Sequence, residues 1–342
     1  MAASGAWCRG VVTVAGTQNR TDQTGQYDVV VVGGGVAGLS AGLVLGRARR
    51  SVLVVDAGEP RNAPAAHTHG FLTRDGTPPG ELQELGRAEV RGYGGEVRSG
   101  EAVSAAALPG GGFTVQLGDG DTALARRLLV TTGLADELPD VPGVRERWGR
   151  DVIHCPYCHG WEVRDQAIAV LAGSALSVHQ ALMFRQLTDN LTLLLHTAPE
   201  PTDEQREQLS ARGVDVVAGE VAEVVVTDDR LTGVRLASGE VIATQVVVVG
   251  PRFVARDGVL VSLGIEAVEH PMGVGTHVPA DSTGLTAVPG VWVAGNVADP
   301  AAGIVNAAAA GSWAAAMMNA DLIVEDTARA VAEHRPTPAG IR

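Results

Sequence analysis

Residues 27–58 read YDVVVVGGGVAGLSAGLVLGRARRSVLVVDAG, and this stretch decides the fold of the first part of the chain. Asp28–Val32 is a valine run that predicts a buried strand. A glycine-rich turn follows, then a helix over Val36–Leu45 and a second strand over Ser51–Val55. Asp56 stands directly after the second strand. A strand, a glycine turn, a helix, a strand and an acidic residue in this order predict a βαβ unit that binds a dinucleotide.

The glycines of the turn form the pattern G-x-G-x-x-G with Gly33, Gly35 and Gly38. We expect Gly33 to allow the tight turn, Gly35 to let the backbone approach a pyrophosphate, and Gly38 to let helix and strand pack closely. The N–H groups and the positive dipole end at the start of the helix would face the phosphates. Asp56 lies eighteen residues after Gly38, where it can accept a hydrogen bond from a ribose hydroxyl.

The composition excludes several classes of function. The formal net charge is −13, and all 26 basic residues are arginine. An acidic chain without a basic cluster does not predict binding to nucleic acid or to an anionic membrane. Three cysteines, Cys8, Cys155 and Cys158, are too few for the disulfide framework of a secreted protein. Residues 1–26 lack the pattern of a signal peptide, so we expect a disordered tail, an incidental Cys8 and a cytoplasmic location.

The length of 342 residues predicts two domains, and a second α/β pattern begins near residue 150. Its predicted elements alternate between strand and helix: Ala167–Leu171, Ala175–Leu187, Leu191–His196, 202–211 and 241–250. The fold class is therefore α/β, with two doubly wound Rossmann-like domains. The alanine-rich stretch from 301 to about 325 is broken by Gly303 and Gly311, which favours a buried helix over a membrane span.

The sequence HCPYCHG, residues 154–160, fits three chemistries. C-x-x-C-H is the pattern of covalent haem attachment, which is normally made outside the cytoplasm. Zinc binding would require the adjacent pairs His154–Cys155 and Cys158–His159 to face one tetrahedral ion, and the sequence has no second C-x-x-C. A redox disulfide between Cys155 and Cys158 is favoured, provided that a nearby group takes electrons. We therefore expect no metal.

Over residues 27–325 the chain resembles the low-molecular-weight thioredoxin reductase family. Four features carry the resemblance: the first glycine motif with its acidic residue, the sequence VTTG at 130–133, the C-x-x-C, and VPGVWVAGNVAD at 288–299. The resemblance implies FAD as the cofactor. It implies a discontinuous FAD-binding domain with a C-x-x-C-bearing domain inserted in it. The implied boundaries are a tail at 1–26, the FAD domain at 27–148 and 251–330, the inserted domain at 149–250, and a tail at 331–342.

The resemblance also implies the roles of the site residues. Residues of the first motif would hold the ADP half of FAD, and those near 296 would approach the flavin. The implied cofactor-binding residues are Gly33, Gly35, Val36, Ala37, Gly38, Asp56, Ala57, Arg61, Asn62, His69, Thr132, Gly133, Gly295, Asn296, Val297, Ile304 and Val305. Asn296 departs from the family's usual aspartate; it keeps the capacity to hydrogen-bond but carries no charge.

Within the family the second cysteine faces the flavin and the first exchanges with substrate, which implies these roles for Cys158 and Cys155. The family usually has aspartate after the second cysteine, and here that residue is His159. An imidazole titrates near neutral pH, so His159 is a candidate acid or base for a thiol, with a purely structural histidine as the alternative. His154 is a weaker candidate for the same role.

The second domain departs from a reductase in its nucleotide motif. The aligned stretch VLAGSALSVHQA, residues 170–181, has Ala172, Ser174 and Ser177 where glycines belong. A Cβ at the close-approach position pushes a pyrophosphate away from the backbone. The family's His-Arg-Arg site for the 2′-phosphate reads His196-Thr197-Ala198 here, so both arginines are missing. The sequence predicts that NADPH does not bind productively.

This departure, with the sequences CPYCHGWEVRDQ and RNAPAAHTHGFLTRDG (residues 61–76), resembles the FAD-dependent dithiol oxidases of gliotoxin- and holomycin-type natural product biosynthesis. The resemblance implies a small dithiol substrate, an intramolecular disulfide as product, molecular oxygen as acceptor with H2O2 formed, and a homodimer. His67 and His69 would line the pocket or order the loop around FAD. Two alternatives stay open: a reductase that uses NAD(P)H or ferredoxin, and a flavin-bearing sensor without turnover.

Overall fold

The computed structural model describes residues 25–335, and strands and helices alternate along much of this range. The strands are β1 Gly25–Val32, β2 Val52–Asp56, β3 Glu96–Ser99, β4 Ala102–Ala107, β5 Phe113–Leu117, β6 Thr122–Val130, β7 Leu134–Glu137, β8 Val152–Ile153, β9 Ile168–Leu171, β10 Leu191–Leu194, β11 Asp215–Val217, β12 Val221–Thr227, β13 Arg230–Leu236, β14 Val241–Ala243, β15 Val246–Val249, β16 Arg252–Ala255, β17 Val268–Glu269, β18 Thr276–His277 and β19 Val291–Val293. The helices are α1 Val36–Arg47, α2 Pro79–Gly92, α3 Val144–Arg147, α4 Pro156–His159, α5 Ser177–Phe184, α6 Asp203–Ala211, α7 Gly258–Val261 and α8 Ile304–His334.

The first sheet has the order β3-β2-β1-β6-β5-β4, and β19 pairs with β6. Strands β1, β2, β3, β6 and β19 run parallel, while β4 and β5 form an antiparallel edge. The alternating valines of β1 enter two cores: Val30 and Val32 pack on one face of the sheet, and Val29 and Val31 on the other. This explains the four consecutive valines that end the strand, because both faces of the sheet are covered there.

The second sheet is entirely parallel, with the order β11-β10-β9-β15-β8. A small antiparallel sheet, β12-β13-β14, packs against one of its faces through Val224, Val234 and Val247. The prediction of an α/β fold with two Rossmann-like domains is confirmed.

The chain passes between the two sheets twice, and the two crossings pair with each other. Strand β7 follows the first sheet along the chain, and β16 follows the second. The two strands form an antiparallel pair from Leu134↔Ala255 to Glu137↔Arg252. After β16 the chain returns to the first sheet, where β19 pairs with β6. The first sheet is therefore built from two separate parts of the sequence. The carboxyl ends of β1, β6 and β19 therefore meet at one edge, where the glycine turn and the second motif come together.

Helix α8 packs its small residues against α1. A Cβ added to Gly311 would lie 2.0 Å from the carbonyl oxygen of Ala37, so the backbones of the two helices are in direct contact. Ala314, Ala315 and Met318 continue the buried stripe. By length and composition α8 also passes as a membrane span. Its buried stripe is that of a helix packed in a core.

Some predicted boundaries are wrong. Strand β1 begins at Gly25, inside the stretch predicted to be a tail, because Gly25 and Gln26 extend the pairing of β1 with β6. Residues 1–24, with Cys8, lie outside the described residues. Helix α8 continues to His334, past the predicted end near 325 and into the predicted tail at 331–342. Arg126 of strand β6 binds carboxylates of helix α8 at the start of this extension, and it contacts Glu325 at 2.7 Å and Asp326 at 2.6 Å.

Candidate active site

Two glycines of the G-x-G-x-x-G pattern, Gly33 and Gly38, have no room for a side chain. Gly33 has a φ of +113°, and a Cβ there would lie 2.4 Å from the carbonyl oxygen of Thr131. A Cβ on Gly38 would lie 1.9 Å from the carbonyl oxygen of Gly33. The Thr131 hydroxyl donates to that same oxygen at 2.8 Å, which ties the turn to the end of β6. The tight turn and the close helix–strand contact are therefore the physical reasons for Gly33 and Gly38.

Gly35 differs from these two glycines because it opens onto free space. A Cβ built on Gly35 meets no atom within 4 Å. Gly35 is the N-cap of α1, no side chain caps this end of the helix, and Val36 and Ala37 form its first turn. Uncapped N–H groups and the positive dipole end beside an open glycine are the features that bind a pyrophosphate. The first motif therefore fits the diphosphate of FAD.

Asp56 lies at the end of β2 and has two hydrogen-bond partners. Arg87 of α2 donates to its Oδ2 at 2.6 Å, and the Gly58 backbone donates to its Oδ1 at 3.0 Å. Asp56 is buried, whereas Ala57 beside it is exposed. Arg87 is not predictable from the sequence, because no local pattern links a helix residue to a strand residue 31 positions earlier. Arg87 holds the carboxylate in one orientation beside the glycine turn.

The second motif explains the departure at Asn296. Its Nδ2 donates to the carbonyl oxygens of Asp299 at 3.1 Å and Ala302 at 2.9 Å. An aspartate would place a carboxylate against these two acceptors, so the amide is required by the local geometry. Ala302 leads directly into the start of α8, where Ile304 and Val305 form the first turn.

The other residues predicted to lie near the flavin offer it mainly backbone groups. Gly295 has a φ of +77°, and Gly133 has a φ of +72°. The Val297 side chain is fully buried in the core, so only its backbone can face a cofactor. The Thr132 hydroxyl donates to the carbonyl oxygen of Arg256 and joins the end of β6 to the chain after β16.

Arg61, in the loop after β2, contacts three parts of the fold. It donates to both oxygens of Asp136 in β7, from Nε at 2.9 Å and from Nη2 at 2.7 Å. Its Cζ lies 4.8 Å from the ring centroid of Phe253 in β16. Its Nη1 lies 3.4 Å from the Oδ1 of Asn296. Asn62 beside it donates to the Thr68 hydroxyl at 3.5 Å.

The two cysteines lie at opposite ends of a single helical turn, α4. Cys155 is its N-cap, and the N–H groups of Cys158 and His159 donate to the Cys155 carbonyl oxygen at 3.3 Å and 3.2 Å. Both cysteines are free thiols; Cys155 is half-buried and Cys158 is exposed. Tyr157 and Trp161 beside them are 83% and 66% exposed, so aromatic surface flanks the thiols.

The two thiols are electrostatically unequal. A hydrogen bond from Cys158, with backbone N–H donors of Tyr157 and Cys158, outweighs burial and lowers the pKa of Cys155 to about 7. The same hydrogen bond raises the pKa of Cys158 above its usual range. The reduced pair therefore carries its negative charge on Cys155, the more nucleophilic partner near neutral pH.

The two histidines of the motif have different surroundings. His154 Nδ1 donates to the carbonyl oxygen of Val249 at 2.9 Å, its ring meets Phe253 edge-on at 5.4 Å, and burial lowers its pKa. These contacts give His154 a structural role. His159 Nε2 is buried and has no hydrogen-bond partner among the described residues. Burial also lowers the pKa of His159, so its imidazole is neutral near neutral pH and can accept a proton.

The loop after β2 reaches the C-x-x-C segment through His69. Its Nδ1 lies 3.4 Å from Asp75, and its Nε2 lies 3.5 Å from Glu162. The ring of His67 lies 6.2 Å from that of His69. These contacts place His69 beside the cysteine segment. Glu162 was not predicted, although a carboxylate three residues after His159 is a signal that the sequence contains.

In the second Rossmann-like domain, a side chain of the protein itself accepts the hydrogen bonds of the turn that would bind a nucleotide. The Ser177 hydroxyl accepts from the N–H groups of Gly173 at 3.2 Å and Ser174 at 3.4 Å, and Ser177 is buried. These are the N–H groups after β9 that a pyrophosphate would need. His196 is in the left-handed region, with a φ of +48°, and its Nδ1 accepts from the Val221 N–H at 3.0 Å. Ser177, one of the three residues that replace the family's glycines, thus occupies two N–H donors of the phosphate site.

Comparison with known proteins places this geometry in a family. The model of the pyridine nucleotide-disulphide oxidoreductase family matches residues 27–320. Thioredoxin reductase sirT of Leptosphaeria maculans is 31% identical over 318 residues, covering 88% of this chain and 96% of that protein. The crystal structure of HlmI is similar at 50% identity and a TM-score of 0.85, covering 92% of this chain and 98% of that one. An oxidoreductase from Agrobacterium tumefaciens is 36% identical with a TM-score of 0.81, covering 87% and 99%.

These matches confirm the resemblance to thioredoxin reductase-like flavoproteins and the prediction of FAD as the cofactor. The open glycine turn at the start of α1 is the part of the structure that fits this cofactor. The family match covers both Rossmann-like domains and the cysteine pair. The chain therefore belongs to the pyridine nucleotide-disulphide oxidoreductase family, as a thioredoxin reductase-like flavoprotein oxidoreductase.

Proposed function

We propose that this flavoprotein is a dithiol oxidase that closes an intramolecular disulfide in a small organic dithiol. The observation that carries the proposal is the self-capped second nucleotide fold, in which Ser177 occupies the N–H donors of Gly173 and Ser174. A pyrophosphate would have to displace this buried hydroxyl without gaining the missing arginines. Electrons from NADPH are thereby disfavoured, and the exposed cysteine pair becomes the entry point for electrons.

The reaction balances through the cysteine pair. A substrate thiolate attacks the sulfur of Cys155 in the oxidised pair, and the Cys155–Cys158 bond breaks. The Cys158 thiolate released in this step has a raised pKa, so it takes up the proton that the substrate thiol lost. The second substrate thiol loses its proton to solvent and attacks the substrate sulfur of the mixed disulfide. This attack expels the Cys155 thiolate, a good leaving group because its pKa is about 7. The products are a substrate disulfide and an enzyme dithiol.

FAD, when bound, supplies a two-electron acceptor for the reduced cysteine pair. The dithiol thereby returns to the disulfide, and the two electrons and two protons leave for molecular oxygen, giving H2O2. His159 is the proposed proton carrier beside the thiols, because its Nε2 has no hydrogen-bond partner among the described residues. We also propose that the enzyme is a cytoplasmic homodimer.

The surface around the cysteines supports a small organic substrate. Tyr157 and Trp161 are exposed within three residues of a cysteine. Exposed aromatic faces contact apolar ring systems favourably without requiring a charged partner. The proposed substrate is accordingly a cyclic scaffold that carries two neighbouring thiols.

The deciding experiment mixes the FAD-loaded enzyme with a small dithiol under anaerobic conditions and follows the flavin absorbance. We expect bleaching with the dithiol and none with NADPH. Subsequent admission of oxygen should restore the absorbance and release one H2O2 per dithiol oxidised. Bleaching by NADPH but not by the dithiol would reject the oxidase.

A disulfide reductase is the second candidate, and the name of the relative sirT, a thioredoxin reductase, favours it. In this case electrons would flow from NAD(P)H or ferredoxin through Cys155 to a protein disulfide. The same anaerobic assay with reduced ferredoxin, followed by thioredoxin reduction, separates the two candidates.

A further inference from the structure

Arg61 is held where the two halves of the molecule meet. Its guanidinium makes a two-pronged ion pair with Asp136 of β7, at 2.9 Å and 2.7 Å. The Asp136 side chain is 8% exposed and that of Arg61 is 29% exposed, so the carboxylate of this pair is shielded from solvent, and its two hydrogen bonds fix the orientation of the guanidinium. β7 and its partner β16 are the two crossings between the sheets, so Arg61 is anchored at the junction itself.

The ring of Phe253 contacts both Arg61 and the residue before Cys155. Arg61 Cζ lies 4.8 Å from the Phe253 centroid, and His154 meets the same ring edge-on at 5.4 Å. His154 is the residue before Cys155. Phe253 thus connects Arg61 with the start of the redox motif, and its apolar ring keeps water from screening the charge.

Among the charged groups of the described residues around the cysteines, Arg61 is the one that acts on both thiols. Glu162 and His69 act on His159, and Asp136 acts on His154. The positive charge of Arg61 lowers the pKa of both thiols, in addition to the larger effects of their mutual hydrogen bond and of burial. The nearby Arg164 instead stacks on Trp161, with Cζ 4.1 Å from that ring.

We propose that Arg61 is a positioning residue whose fixed positive charge stabilises the thiolate of the reduced Cys155–Cys158 pair. Stabilising the reduced form makes the disulfide a stronger oxidant, which suits an enzyme that takes electrons from a dithiol. Asp136 orients the guanidinium through its ion pair, and the Oδ1 of Asn296 in the second FAD motif accepts a further N–H from Nη1. Asp136 already pairs with Arg61, and the neutral Asn296 adds no second counter-charge.

The test measures the reactivity of Cys155 rather than turnover. FAD-loaded enzyme is reduced anaerobically, freed of reductant and alkylated with iodoacetamide over a pH series, and the alkylated Cys155 peptide is quantified by mass spectrometry. In the wild type we expect the rate to rise with a midpoint near pH 7, as the thiolate forms. Arg61→Gln should move the midpoint up by about one pH unit, the low end for loss of a neighbouring opposite charge.

Two further variants separate charge from structure. Arg61→Lys keeps the charge and should hold the midpoint near that of the wild type. Asp136→Asn keeps Arg61 but removes its counter-charge, so the midpoint should stay or fall. Arg164→Gln is the matched control and should leave the midpoint unchanged. An unchanged midpoint in Arg61→Gln, or equal rises in Arg61→Gln and Arg61→Lys, would overturn the proposal.

The inference rests on the redox use of the cysteine pair in the proposed function, and the two can fail separately. Alkylation needs neither a dithiol substrate nor oxygen. Should Arg61→Gln raise the midpoint while the wild type oxidises no dithiol, only the proposed substrate and acceptor fail. Should the wild type oxidise dithiols while the midpoint is insensitive to Arg61, only the role of Arg61 fails.

Discussion

The Nε2 of His69 lies 3.5 Å from the Oε1 of Glu162, and this contact joins the loop after β2 to the segment after the redox cysteines. The two residues belong to different domains and are 93 positions apart in sequence. Their charges act on His159 in opposite directions, because Glu162 raises the pKa of His159 and His69 lowers it. The protonation of the candidate proton carrier therefore depends on the docking of the two domains.

Replacing Glu162 by glutamine removes the negative charge that raises the pKa of His159. The rate of anaerobic flavin reduction should depend on pH through the titration of His159, and the midpoint of this limb of the pH profile should shift to lower pH. We expect a shift of only about half a unit, because Glu162 is partly exposed. The measurement is the stopped-flow rate of bleaching with dithiol as a function of pH. His159→Asn should abolish the limb, and a limb that survives in this variant would show that another group carries the proton.

Replacing either redox cysteine by serine should abolish dithiol oxidation, because the relay needs both sulfurs. Cys155→Ser and Cys158→Ser should both retain FAD, since neither residue lies in the glycine turn or the second motif. Oxygen consumption with dithiol and the flavin absorbance of the purified variants give the two readouts. Turnover in either variant would exclude the disulfide relay.

Two glycines of the first motif should respond differently to alanine. A Cβ at Gly38 would lie 1.9 Å from the Gly33 carbonyl, so Gly38→Ala should lower the free energy of unfolding by at least about 2 kcal/mol even without cofactor. Gly35→Ala places its Cβ in open space at a φ of −71°, so the apoprotein should keep its stability. Its affinity for FAD should fall about tenfold or more, since the methyl group faces the diphosphate.

Urea unfolding of the apoproteins and FAD titration by fluorescence quenching measure these two effects. Gly46→Ala, in the last turn of α1, serves as a control outside the cofactor turn. Equal loss of FAD affinity and of apoprotein stability in Gly35→Ala would contradict the separation.

The ion pairs of Arg126 should stabilise the C-terminal half of α8. Arg126 binds Asp28 at 2.8 Å, Glu325 at 2.7 Å and Asp326 at 2.6 Å. Arg126→Ala should lower the free energy of unfolding by about 1–2 kcal/mol, a modest value because these groups are partly exposed. Urea unfolding at low and high salt measures it, and the difference should shrink with salt.

The same cluster predicts a loss of stability in acid. Hydrogen bonds from Arg50 and Arg126 lower the pKa of Asp326 to about 2. Because the folded-state pKa is depressed, the stabilisation is complete above about pH 4, the usual range of aspartate, and is lost as the pH falls toward 2. Asp326→Asn should flatten the dependence of unfolding free energy on pH in this window. A variant with the slope of the wild type would show that Asp326 does not contribute.

Several features of this protein follow from the sequence alone because they are local. The valines of β1, the three glycines and Asp56 lie within one βαβ unit, and their spacing already specifies the turn that fits a diphosphate. Cys155 and Cys158 lie within one helical turn, so their proximity needed no tertiary information. The sequence also shows that the glycines of the second motif are replaced. It does not show that the Ser177 hydroxyl accepts from the N–H donors of this turn.

Only the tertiary structure decided the partners that tune these groups. Arg87 reaches Asp56, Arg61 reaches Asp136 and Asn296, and His69 reaches Glu162, across separations of 31, 75, 235 and 93 residues. Parallel strands that pair out of sequence order bring their carboxyl ends to one edge, and β7 with β16 sets the second domain against it. Spacing along the chain determines which residues share a turn, but the electrostatics of the thiols depends on distances that only the packing of two sheets determines.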